Sequence, residues 1–111
     1  MAAAGPIGII TLVQQAASKK LLFLPHAVRQ MSLLDRMISV AEVRSVITEG
    51  KMIEDYPNDP RGHSCLILGR GDRGRSVHVV CAPKEDFLAI ITAYLPSKDA
   101  WRHDFRERRK S

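Results

Sequence analysis

His78, Tyr94, His26 and Arg29 are the side chains of this sequence best suited to move a proton and hold a phosphate. Cleaving a phosphodiester beside a 2′-hydroxyl without a metal takes three groups. A base removes the hydroxyl proton, an acid protonates the leaving oxygen, and a cation steadies the charge that builds around phosphorus. An imidazole exchanges protons near neutral pH, and a guanidinium grips phosphate through two parallel N–H bonds. His78 stands in the run 76–82, where Val77, Val79 and Cys81 alternate onto one face of a strand and leave Ser76, His78 and Val80 on the other. On that less apolar face the imidazole either meets a substrate or is satisfied by a neighbouring strand, and alternation alone admits both. Tyr94 falls on a later strand, on the side of Thr92 and Ile90, as a phenolic acid, a stacking platform or a packing residue. His26 and Arg29 share a face at i, i+3 in the first turn of a helix, where free N–H groups also suit an anion. His26 can equally close the turn after Pro25.

A second set of residues could follow a nucleic-acid backbone. Arg36, Arg70 and Arg73 are candidates in the body of the chain, and Arg102, Arg106, Arg108 and Arg109 near its end. The formal net charge is +5. Residues 102–110 hold five basic side chains against Asp104 and Glu107, so +3 of that +5 sits there. Such a balance permits nucleic-acid binding without requiring it. Arg29 and Arg36 are also in reach of a different fate, as ion-pair partners of Glu54 and Asp55. The run Gly69 to Gly74 matches G-x-G-x-x-G, but a strand follows it where a dinucleotide site needs a helix, so it reads as a hairpin turn. His26, His63, His78, His103, Cys65 and Cys81 show no ligand spacing, and no metal or cofactor is expected. Cys65 and Cys81 lie in apolar runs and read as buried, reduced thiols. The apolar stretch from Ile7 stops at Gln14 and lacks a basic segment before it. It reads as a helix, the compartment as cytoplasmic, and no segment approaches the length of a membrane span.

The elements that must position these residues can be read in order. The 111 residues suit a single domain, 1–111, with an N-terminal helical segment in 1–20 and a basic tail in 102–111. A first helix over 7–17 opens after Pro6, and a short edge strand or extended lead-in over 21–24 ends at Pro25. A second helix over 26–34 would turn Ala27, Met31 and Leu34 inward. Ser39 and Glu42 form a capping box for a third helix, Val40–Glu49, with Val40, Val43 and Ile47 as its buried stripe. Gly50 ends it. Strands follow over 51–56, 64–70, 76–82 and 87–95, joined by short turns and therefore antiparallel. Pro96 closes the sheet, and a terminal helix over 99–109 would dock Trp101 and Phe105. The fold class is α+β, with N-terminal helices on a four-stranded antiparallel sheet and a C-terminal helix.

Several residues occur in an order that resembles a known family. They are His26-Ala27, Met31, Ile38-Ser39 before Glu42-Val43, Ile53-Glu54-Asp55-Tyr56-Pro57, Gly69-Arg70, His78-Val79-Val80, Ile91-Thr92-Ala93-Tyr94, Pro96 and Trp101. Together, over roughly residues 20–109, they are similar to an uncharacterised bacterial "HA-x-x-R-M" family. That family resembles the RelE, BrnT and MqsR-like toxins in size and element order. The resemblance implies a RelE-like fold and a toxin of a toxin–antitoxin pair, with a small zinc-finger antitoxin like MqsA as partner. It also implies metal-independent cleavage of mRNA as the activity, with a non-catalytic nucleic-acid- or protein-binding module as the alternative. Gln30 stands where the family commonly has Arg, and Leu95 where it commonly has a basic residue. No established catalytic residue is carried over.

Overall fold

The computed structural model describes residues 8–98, 100–102 and 104–108. Helix α1 spans Ile9–Lys19, strand β1 Leu21–Phe23, helix α2 Pro25–Met31 and helix α3 Val40–Glu49. Strands β2 (Lys51–Tyr56), β3 (Ser64–Arg70), β4 (Ser76–Pro83) and β5 (Leu88–Tyr94) follow. The sheet has five strands in the order β1-β5-β4-β3-β2. The three expected hairpin pairings are antiparallel. The four-stranded expectation is corrected at the edge, where β1 joins β5 in parallel with Leu21 opposite Leu88. Local pattern cannot supply that pairing, because the partner lies at the far end of the chain.

All three helices pack on one face of the sheet. Val13, Ala16, Ala27, Met31, Val43, Val46 and Ile47 meet Cys65, Ile67, Val77, Val79, Cys81 and Ile90 in one apolar core. Each fully buried aliphatic side chain there contributes about 1.5–3 kcal/mol. Cys65 and Cys81 stand opposite each other within this core as free thiols. Their mutual hydrogen bond, together with burial, pushes the Cys81 thiol well above its ordinary range.

Helix α2 stops at Met31, short of the expected end, so Leu34 is exposed rather than inward-facing. Val40 is likewise exposed, while Val46 joins Val43 and Ile47 in the buried stripe. The expected terminal helix is absent among the described residues of its range. They form turns closed by an isolated antiparallel bridge between Trp101 and Arg108.

Helix α3 carries a densely bonded carboxylate, Glu42. Ser39 accepts from the Glu42 N–H and Glu42 accepts from the Ser39 N–H, so the capping box forms as read. The same Glu42 carboxylate accepts the Asp72 N–H at 2.8 Å and the Arg75 guanidinium at 2.7 and 2.8 Å. Arg75 also donates to the carbonyls of Arg36 and Met37. Gly71 is required here, because a Cβ at that position would run into the Glu42 carboxylate. Gly69 permits similarly close approach to the α3 backbone at Val46. The G-x-G-x-x-G spacing is thus a hairpin, and its first two glycines serve packing on α3.

The Arg75 hydrogen bonds, against burial, hold the Glu42 carboxyl below its usual range, with the Asp72 and Ser39 N–H groups adding to them. The stability this confers is complete above the unfolded carboxyl value of about 4.5 and is lost as pH falls through the lower folded value. Arg75→Ala leaves a carboxylate whose side chain is 1% exposed without its cation. The expected cost at pH 7 is about 3 kcal/mol or more, read by urea denaturation. A loss below about 1 kcal/mol, the worth of an exposed pair, would show that Glu42 does not depend on Arg75.

Candidate functional site

The face of the sheet that carries no helix among the described residues is built by alternation and by two bulges. His78, Val80, Leu66 and Leu68 face away from the core because their neighbours Val77, Val79, Cys65 and Ile67 face into it. A register shift between Met52 and Glu54 sets Glu54 opposite Leu66 and Tyr56 opposite Ser64, on that same face. A second shift, between Val80 and Cys81, sets Thr92 and Tyr94 opposite Val80 and His78 while Ile90 joins the core. The reading that put Tyr94 and Ile90 on one side is therefore corrected: an extra residue, Ile91, lies between them.

His78 is 0% exposed, and both ring nitrogens are engaged. Its Nε2 lies 2.9 Å from the carbonyl of Phe105, which can only accept, so Nε2 carries the proton. Its Nδ1 lies 3.2 Å from the Tyr94 hydroxyl. Burial lowers the His78 pKa, with the Phe105 carbonyl working the other way, and burial raises that of Tyr94. The ring is thus neutral at pH 7, and Tyr94 donates its O–H to Nδ1. The Trp101 ring stands edge-on to the imidazole at 4.4 Å between centroids.

An ion pair frames the same corner. Arg108 grips Glu54 through Nε at 3.0 Å and Nη2 at 3.1 Å, and lies over the Trp101 ring at 4.7 Å. The Tyr56 hydroxyl also donates to Glu54. Burial works against the Glu54 carboxylate, yet Arg108 and Tyr56 outweigh it and hold the group below its usual range. Tyr56, buried beside that carboxylate, is pushed up to about 12.

Next to His78 a cleft of about 460 Å³ opens between the β3–β4 hairpin and the turn around Phe105. Lys51, Arg70 and Arg106 bring three cations to its lining, against Glu49 and Asp104. Leu68, which pairs with His78, and Ser76, two residues along the strand, are also in that lining.

Of the residues singled out from sequence, the structure brings together His78 and Tyr94. Arg70 and Arg106 meet in the neighbouring cleft. His26 and Arg29 lie exposed on α2, in the helix layer, on the other side of the sheet from His78 and Tyr94. Arg36 bonds to Gln30 and Asp35 rather than to Glu54 or Asp55. Arg73 is exposed at the hairpin tip, and Arg102 pairs with Glu107. Arg108 is held by Glu54, and Arg109 lies outside the described residues. Sequence reasoning missed Glu54, Tyr56 and Lys51, whose face depends on a bulge that alternation does not reveal. Among the described residues, no group of three His, Cys, Asp or Glu side chains is placed to hold a metal ion. No helix among them is long and apolar enough to cross a membrane.

A buried neutral imidazole makes stability depend on pH with a definite sign. The unfolded chain takes up the His78 proton near pH 6.5, and the folded chain does so only at a lower pH. Folding stability should therefore be level above about pH 6.5 and fall as pH drops below it. Glu54 and Arg108, the charged groups nearest the ring, oppose each other in this effect. His78→Gln should flatten the slope between pH 5 and 6.5 in chemical denaturation. An unchanged slope would mean that His78 titrates normally in the folded chain.

The family model described as a domain of unknown function, DUF4258, matches residues 23–95. No match to a curated protein or to a solved structure is found. The matched span holds His78, Tyr94, Glu54, Tyr56 and the cleft residues Lys51 and Arg70. Trp101, Phe105 and Arg108 lie beyond it. With most of its length inside that match, including α2, α3 and the strands β2 to β5, the chain belongs to the DUF4258 family of domains of unknown function.

Proposed function

We propose that this domain binds single-stranded RNA through its phosphate backbone, as a small toxin-like protein of the kind its sequence resembles. The observation that carries the reading is the cleft in which Lys51, Arg70 and Arg106 converge beside His78. Phosphate contacts supply most non-specific affinity, and cations combined with an aromatic residue, here Phe105, suit a single strand. Arg73, exposed on the hairpin tip next to the cleft, extends the positive surface. A small zinc-finger antitoxin is the partner this reading implies, and it would neutralise the domain by covering the cleft.

Endonucleolytic cleavage is a second reading, favoured by the hydrogen bond between His78 and Tyr94. The pair offers an imidazole and a phenol on one face, with Arg70 and Arg106 in the lining of the neighbouring cleft as the cations for a scissile phosphate. In the closed arrangement the imidazole is neutral and sealed, so this chemistry needs His78 uncovered.

Titration of a labelled single-stranded RNA of mixed sequence tests the binding site. Three phosphate contacts on a single strand give a slope of log K against log salt of roughly −2. Exchanging Lys51 and Arg70 for Ala should reduce its magnitude by about 1.4. An unchanged slope in that double variant would place the RNA elsewhere. Intact RNA after prolonged incubation with the wild-type protein would remove the cleavage reading and leave the binding one standing.

A further inference from the structure

The turn that contains Phe105 has three properties that belong together. It lines the cleft, through Asp104, Phe105 and Arg106. Its Phe105 carbonyl takes the one N–H that His78 could otherwise offer to that cleft. And Phe105 holds a left-handed backbone at φ 60, unusual for a bulky residue, so the contact is made at a conformational cost. A carbonyl oxygen and a phosphate oxygen are both acceptors for the same N–H. We infer that this turn is a built-in occupant of the RNA site, its carbonyl standing on His78 Nε2 where a phosphate oxygen of RNA binds. The inference rests on the RNA reading of the cleft and adds a contact and a competitor to it.

The turn is held in a way that allows replacement. Among the described residues beyond Tyr94 there is neither helix nor strand, only turns and the Trp101–Arg108 bridge. Its side-chain ties include the exposed Arg102–Glu107 pair, the Arg108–Glu54 pair, Arg108 over the Trp101 ring and that ring edge-on to His78. Segments with few backbone ladder bonds open well below the global unfolding free energy. Tyr94 stays on β5 when the turn lifts, so Nδ1 keeps its hydrogen bond and Nε2–H still points outward. The imidazole is thus ready to donate to a phosphate oxygen without changing tautomer. Arg106 moves with the turn, while Lys51 and Arg70 remain on the sheet, so the open site keeps two of the three cations and its salt slope lies nearer roughly −1.4 than −2.

Trp101 is the sole tryptophan, and it is buried against His78, so its fluorescence reports the turn directly. Adding the single-stranded RNA to the wild-type protein should shift its emission to the red and increase its quenching by acrylamide, in step with binding. Trp101→Ala, which changes no charge, should loosen the turn and tighten RNA binding several-fold, because the closed state no longer competes. RNA that binds with Trp101 emission unchanged, or a folded Trp101→Ala chain that binds no tighter, would overturn the occupant while leaving the cleft as an RNA site. If Trp101→Ala fails to fold, the wild-type emission on adding RNA decides between the same two outcomes. RNA that binds neither the wild type nor Trp101→Ala would end the cleft reading itself, and the occupant with it.

Discussion

The Glu42 carboxylate is the point at which separate parts of this chain become one structure. It begins α3 by taking the Ser39 N–H, fixes the β3–β4 hairpin by taking the Asp72 N–H, and anchors Arg75. Arg75 in turn secures the α2–α3 connection through two backbone carbonyls. A nearly buried carboxylate is tolerated only when its lone pairs are filled and its charge is answered. Here both conditions are met, by groups 30 and 33 residues away in sequence. Once that knot is tied, α3 lies against β3, and the hairpin stands at a set angle over the start of β2. The cleft is the space left between that hairpin and the turn around Phe105.

The two faces of the sheet are governed by different physics. The helix face is a conventional apolar core whose strand residues are mostly β-branched or sulfur-bearing. The opposite face has no helix among the described residues, yet Leu66, His78 and Ala82 on it are buried. The polar groups there are satisfied pairwise: tyrosine on histidine, arginine and tyrosine on glutamate, histidine on a carbonyl. Among the described residues, no buried side-chain polar atom lacks a partner. A face of this kind is stable closed and chemically useful open, because removing its cover exposes groups already oriented by one another. The RNA reading draws on that doubleness.

Much of the frame was legible in the sequence because its signals are local. The capping box at Ser39 and Glu42, the helix ending at Gly50, and the Gly- and Pro-marked turns each depend on residues a few positions apart. The alternation around His78 also gave its face, though not its burial. What escaped depends on distance or on a single inserted residue. The pairing of β1 with β5 joins Leu21 to Leu88, which no window can see. The shift near Ile53 turns Glu54 and Tyr56 toward His78 against the simple count, and Ile91 separates Tyr94 from Ile90. Trp101 and Phe105 at i, i+4 suggested a helix, but the stacking of Trp101 on His78 and the grip of Glu54 on Arg108 favour a bent path. That His26 and Arg29 would lie across the sheet from His78 was not legible either, because a sequence does not say which side of a sheet a helix will take.

The parallel pairing of β1 has a consequence for synthesis. Leu21 leaves the ribosome 67 residues ahead of Leu88, the residue it pairs with. At the ordinary speed of translation that gap lasts on the order of ten seconds. For most of it the apolar residues of α1 have no β4 to rest on, and throughout it Leu21 and its β1 neighbours lack β5. The helices at the start of this domain are therefore made first and housed last, and their apolar faces stay uncovered until the late strands emerge.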